Sequence, residues 1–188
     1  MMAKLPILII NNAILFPNME FRSETVNTYE QDIINKIDNT DSKEFIIIHS
    51  IDNISTSDVT EFPKIGLLAT LTLKLNIPNS KMRYIVVGLR RVEIDSYEED
   101  GDIYYANYKE IETTNIDYKE ETMYLDMLYR NYEKYVREIS TVSNAMLGEI
   151  SSINNLDDLT DVVVAFLNLS PDVKKLYLYE LTPIRRAI

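Results

Sequence analysis

The chain has 188 residues, a single histidine, no cysteine, and 30 acidic against 19 basic side chains, for a net charge of −11. That length holds one domain or two small ones with a real buried core. The missing cysteines exclude disulfides, thiolate zinc sites and cysteine nucleophiles. One histidine excludes a His-rich metal site, and the acidic balance opposes nucleic acid and anionic membranes as partners. No apolar run reaches the roughly eighteen residues of a membrane span. The first ten residues are too short and too weakly charged for a signal peptide. The expected compartment is the reducing cytoplasm.

In chain order, strand-like runs occupy Leu5–Ile10, Glu44–His49, Ile65–Leu75, Arg83–Ile94 and Ile103–Ile111, rich in Ile, Leu, Val and Tyr. Pro78-Asn79-Ser80 and Asp100-Gly101 supply turns, the second a strong hairpin signal because both residues tolerate positive φ. Alternation predicts that Leu67, Ala69, Leu71, Leu73 and Leu75 share one core face. One helix interrupts the strands: Thr28-x-x-Gln31 reads as a capping box, with Ile33, Ile34 and Ile37 following on one face. The pattern then changes period. Leu125, Leu128, Tyr132, Tyr135 and Ile139 form a helical stripe. Asn155 precedes Asp157-Asp158, acids in the first turn of a helix carrying Leu159, Val162, Val163, Phe166 and Leu167, and Ser170-Pro171-Asp172 starts another. In that last helix Val173, Leu176, Tyr177 and Leu181 form the expected packing face. Fold class is therefore α+β: a small β-barrel or curled sheet with one helix (residues 1–112), a linker at 113–117, and a helical subdomain at 118–188.

Chemistry is scarce. None of the four glycines opens a phosphate-cradling loop, and no serine sits in a nucleophile elbow. His49 ends an apolar strand, where a satisfied histidine is the ordinary reading. Glu98, Glu99, Asp100 and Asp102 offer oxygen ligands for a hard cation but surround a hairpin turn without EF-hand spacing, which suits a solvated loop. Arg83, Arg90 and Arg91 with Tyr84 form the basic-aromatic cluster, read as strand surface in a chain this acidic. The segment Ala13–Met19 is apolar, yet Pro17 forbids regular strand bonding there. Such a loop is either packed over the sheet or exposed for a partner.

These residues carry a resemblance. Leu5-Pro6-Ile7-Leu8 with Phe16-Pro17-Asn18-Met19, then Gly66–Leu71 with Ile77-Pro78-Asn79, then Tyr84–Ile94 (YIVVGLRRVEI) resemble, in order and spacing, the amino-terminal domain of Lon-family ATP-dependent proteases. Ile9, Asn11 and Arg22 depart from that pattern. The resemblance implies a PUA-like (pseudouridine-synthase-and-archaeosine-transglycosylase-like) β fold followed by a helical bundle. It implies a non-catalytic domain that selects unfolded or damaged proteins and supports assembly of a homo-hexamer. ATP, Mg²⁺ and the Ser-Lys protease dyad belong to the resembled full-length enzyme, and no cofactor or metal is expected in this chain. Phe16, Pro17 and Met19 are the expected substrate contacts. The alternatives are a stand-alone binding protein of the same fold without a protease, an RNA-binding module, which the charge opposes, and, last, an enzyme. Thr182-Pro183 starts a further helix with Ile184, Ala187 and Ile188 on one stripe, too short to be stable alone, so the chain reads as a fragment whose residues 184–188 fray.

Overall fold

The computed structural model describes residues 3–11, 13–50, 61–79, 81–111, 116–138, 148 and 150–188. It divides into two compact units, Met1–Ile111 and Glu112–Ile188. The expected linker at 113–117 lies mostly outside the described residues, as does Ile139.

The first unit is a six-stranded sheet. Its strands are β1 (Ala3–Asn11), β2 (Glu20–Glu24), β3 (Glu44–Ser50), β4 (Ile65–Ile77), β5 (Lys81–Asp100) and β6 (Ile103–Glu110), with α1 (Thr28–Asp38) between β2 and β3. The order is β2-β5-β4-β3-β1-β6, and β6 also pairs with the second half of β5. The sheet therefore curls back on its longest strand. It is a curled sheet, with β2 at one end of the order and paired only with β5 among the described strands. β1 and β3 run parallel, Ile7 opposite Ile46 and Ile9 opposite Ile48, and the other pairs are antiparallel.

Both faces of the central strands are covered. Leu8, Phe45, Ile47, Leu67, Tyr84 and Val86 pack with Ile33, Ile34 and Ile37 of α1. Ile7, Ile46, Ile48, Leu68, Val92 and Ile94 pack on the opposite face with Phe62 and Tyr104. Two-sided burial is why Phe45–Ile48 reads as an unbroken apolar run instead of alternating.

Three expectations for this unit change. β2 was not foreseen; its sequence EFRSE has the polar alternation of a short edge strand, too brief to stand out. The cap of α1 sits one residue earlier than Thr28: the Asn27 side chain accepts from Glu30 N at 2.8 Å, and Glu30 accepts from Val26 N at 2.7 Å. Asn27 thus takes the cap expected of Thr28, and Glu30 reaches back to the amide just before the cap rather than to the cap itself. Finally, β4 does not keep one face throughout. Leu71 pairs with Val86 but Leu73 pairs with Ile85, so Thr72 is an inserted bulge residue whose hydroxyl donates to Ile85 O at 3.0 Å. The bulge inverts the alternation: Leu67, Ala69 and Leu71 stay in the core, and Leu73 and Leu75 turn outward.

The second unit holds α2 (Tyr118–Glu138), α3 (Leu156–Phe166), α4 (Pro171–Tyr179) and α5 (Pro183–Ala187). Tyr132, Val136, Ile150, Leu159 and Val163 form its core, with Leu125, Leu128 and Tyr135 packed against them. Asn155 caps α3 by accepting from Asp158 N at 2.8 Å, and Ser170 caps α4. The faces are rotated from the expected ones: Leu178 is the buried residue of α4, while Leu176 and Phe166 are exposed. Nor does α5 fray. Arg186 is buried, its Nε donating to Thr160 Oγ1 at 3.1 Å and Nη1 to Glu180 O at 2.6 Å, with Asp157 and Asp161 of α3 beside it. A polar anchor at Arg186 holds this end, a contact that hydrophobic periodicity does not register.

Candidate functional site

The first loop is packed, not presented. Phe16 is fully buried, Pro17 is buried and Met19 is half-buried against the α1-side core. Leu15 N donates to His49 Nε2 at 3.0 Å, which requires that nitrogen to be unprotonated and explains a 2 % exposed histidine at a strand end. Asn18 takes a positive φ of 61°, its N–H bonding Gly88 O at 2.9 Å, and Gly88 N donates to Met19 O at 3.0 Å. Met19 N closes a turn onto Phe16 O at 3.3 Å, and the two Gly88 bonds tie the loop to β5. Phe16 and Pro17 reach no surface, so the contact expected of them is corrected: a large apolar ring on a loop with satisfied amides is more stable inside.

Part of the exposed apolar surface of the first unit lies where the β4 bulge puts it. Leu73 and Leu75, 42 % and 50 % exposed, stand on the outer face of the sheet beside half-buried Ile85. With Arg22 and Glu24 of β2 and Arg83 of β5 they line a groove of about 480 Å³. Arg22 Nε donates to Glu20 and Arg83 Nε to Glu24, each at 2.6 Å. Beneath the groove floor the Tyr84 hydroxyl donates to the buried Glu30 carboxylate. Burial first, and that carboxylate second, push the tyrosine's pKa well above its ordinary value. Nothing in the sequence read by simple alternation could find this groove; the signal was the odd placement of Thr72 and its consequence for two leucines.

The other clusters do not assemble. Arg83 faces the groove, Arg90 pairs with Glu110, Arg91 is buried and Tyr84 is core, so no basic-aromatic face forms. Asp32, Glu99 and Asp102 rim a cavity of about 290 Å³ with Tyr29 and Tyr104. Among the described residues no three His, Asp or Glu side chains converge to hold a metal ion. No described helix is long and apolar enough to cross a membrane.

Comparison with known proteins then decides the family. The description "ATP-dependent protease La (LON) substrate-binding domain" matches residues 4–187. This chain belongs to the Lon substrate-binding domain family. Curated relatives include the Lon protease of Fusobacterium nucleatum subsp. nucleatum, 24% identical over 98% of this chain and 24% of that protein, and the Lon protease of Brevibacillus choshinensis, 23% identical over 88% and 21%. This Lon domain thus spans about a quarter of the length of the curated relatives it matches. The N-terminal domain of a Mycobacterium avium complex Lon protease superposes with a TM-score of 0.77 at 14% identity, covering 98% of this chain and 94% of that one. The Lon N-terminal domain protein from Xanthomonas campestris gives 0.67 at 13% identity, with the same coverage. Both show the α+β fold of a Lon N-terminal domain.

Proposed function

We propose that this chain is a non-catalytic substrate-recognition and assembly domain of a Lon-type ATP-dependent protease. It captures unfolded or damaged proteins through the groove over β2, β5 and β4. The supporting observation is the bulge at Thr72, which turns two leucines toward solvent beside half-buried Ile85, on a face that regular alternation of β4 would have filled with polar residues. Segments that a misfolded client fails to bury meet those side chains. The gain per site is small, since association and ordering costs offset most of the area term. Six copies in a homo-hexamer raise the effective concentration and make weak capture useful.

The test is binding to a permanently unfolded protein. Replacing both Leu73 and Leu75 by Ser is expected to weaken capture about tenfold with only a modest fall in melting temperature, because each side chain is about half exposed. Phe16→Glu serves as the contrast: it is expected to melt far below the parent, since it forces an unpaired charge into the core. Normal capture by the double leucine variant would remove the groove from the proposal.

A further inference from the structure

The groove has a charged rim whose sign differs from that of the chain. On the groove's face Arg22, Lys81 and Arg83 stand against Glu20 and Glu24, a net of +1 in a chain of net charge −11. Lys74, between the two leucines, points to the other face and pairs with Asp38 of α1 at 3.3 Å. Lys81 is exposed, and the Arg22 and Arg83 side chains are 75% and 64% exposed. Each arginine spends its Nε on a glutamate of β2, and the terminal guanidinium nitrogens of both make no hydrogen bond among the described residues. Arg22 lies opposite Ile85, and Arg83 opposite Glu24, so the two arginines are diagonal neighbours on one face. Sheet geometry sets such positions roughly 7–8 Å apart, within reach of one ligand group.

We propose that, on the substrate-capture reading above, this groove selects extended apolar segments flanked by acidic side chains. The apolar residues lie on Leu73, Leu75 and Ile85, and a flanking Asp or Glu carboxylate docks on the free edges of Arg22 and Arg83. Arginine suits this part because its fork offers five donors in a plane and keeps a carboxylate-matching edge after one nitrogen is used. The remainder of the acidic surface repels an acidic segment and steers it toward this groove, where cations rim apolar surface. A lysine-flanked segment meets the arginines with like charge and is disfavoured at this groove.

The experiment uses labelled extended peptides of one apolar sequence, acetylated and amidated at the ends so that only side chains carry charge. They are flanked by Glu, Ser or Lys and titrated with the chain by fluorescence anisotropy. The Glu-flanked peptide is expected to bind about tenfold tighter than the Lys-flanked one at low salt, with the difference shrinking as salt rises. Arg22→Gln with Arg83→Gln is expected to abolish the preference, and Arg22→Glu with Arg83→Glu to reverse it. Melting curves confirm that the variants fold, and the Gln pair gives a readout if the Glu pair does not. Equal binding of the three peptides, or a preference for Lys, overturns the selectivity. If in that case the double leucine variant still loses capture of an unfolded protein, the substrate-capture reading stands without it. If the leucine variant captures normally, both fail together.

Discussion

A Cβ at Gly88 would lie 2.6 Å from the Phe16 carbonyl oxygen and 2.8 Å from Leu67 Cδ2. The glycine is absent-by-design space for the first loop, and it joins the Phe16-Pro17-Asn18-Met19 and Tyr84–Ile94 motifs, which lie far apart in the chain. Gly66 is a milder case: its Cβ would meet Ile46 Cγ2 at 2.8 Å, Ile94 Cδ1 at 3.0 Å and Ile47 O at 3.3 Å. Side-chain ends can shift, whereas a carbonyl fixed by the turn that it closes with Met19 N cannot. Gly88→Ala is therefore expected to destabilise by about 2–3 kcal/mol and Gly66→Ala by about 1 kcal/mol, read from urea unfolding midpoints. The reverse order would mean that the loop does not rest on β5 as described. The motifs were visible in the sequence, but their joint meaning was not: the partner of Gly88 is a backbone oxygen, and backbone positions leave no mark on residue type. The same holds for Leu15 N, whose partner His49 is recognisable only once the loop is placed.

Periodicity gave the strands and helices wherever one face is apolar, and it failed where something other than a side-chain face sets the geometry. A single inserted residue, Thr72, reverses the direction of Leu73 and Leu75, and alternation alone cannot register an insertion in one strand. This is why the fold was legible and the groove was not, and why an apolar loop drew attention that belonged to the sheet. In the helical unit the missed signal is a charge. α5 is only five residues long and is held by buried Arg186, whose neighbours include Asp161 at 3.5 Å, itself 2 % exposed, and Thr160. Arg186→Met is expected to cost about 3–5 kcal/mol, because it strands a buried carboxylate rather than merely removing a contact. Adding Asp161→Leu to that variant should recover part of the loss, since the uncompensated charge then goes too. Thermal melts of the two single variants and the double variant measure this. An Arg186→Met chain as stable as the parent would show that α5 docks through Pro183 and its apolar neighbours instead.

Charge and burial act on the whole chain through its thirteen tyrosines. Burial raises the pKa of Tyr29 and Tyr84 in the first unit well above the ordinary value near 10, and pushes Tyr179 in the second unit up to about 12. A raised folded-state value means that the native chain holds these protons more tightly than the unfolded chain. Their contribution is then fully present below pH 10 and is lost as the pH climbs through the folded values, so stability falls on the alkaline side from about pH 10 upward. Absorbance near 295 nm should rise in two phases: a gradual one from exposed rings, then a cooperative one that coincides with loss of structure. The two units can be told apart by single hydroxyl deletions. Tyr84→Phe takes a donor from the buried Glu30 carboxylate and is expected to cost about 1–3 kcal/mol at neutral pH while flattening the alkaline decline. Tyr179→Phe is expected to be neutral or slightly stabilising at neutral pH, because its buried hydroxyl has no hydrogen-bond partner among the described residues, and to flatten the decline as well. Were all the tyrosines to ionise in one smooth step near pH 10 with the fold intact, the burial assigned to these three rings would be wrong. Should Tyr179→Phe instead prove as costly as Tyr84→Phe, the hydroxyl has a partner, and the packing of α4 would have to be redrawn around it.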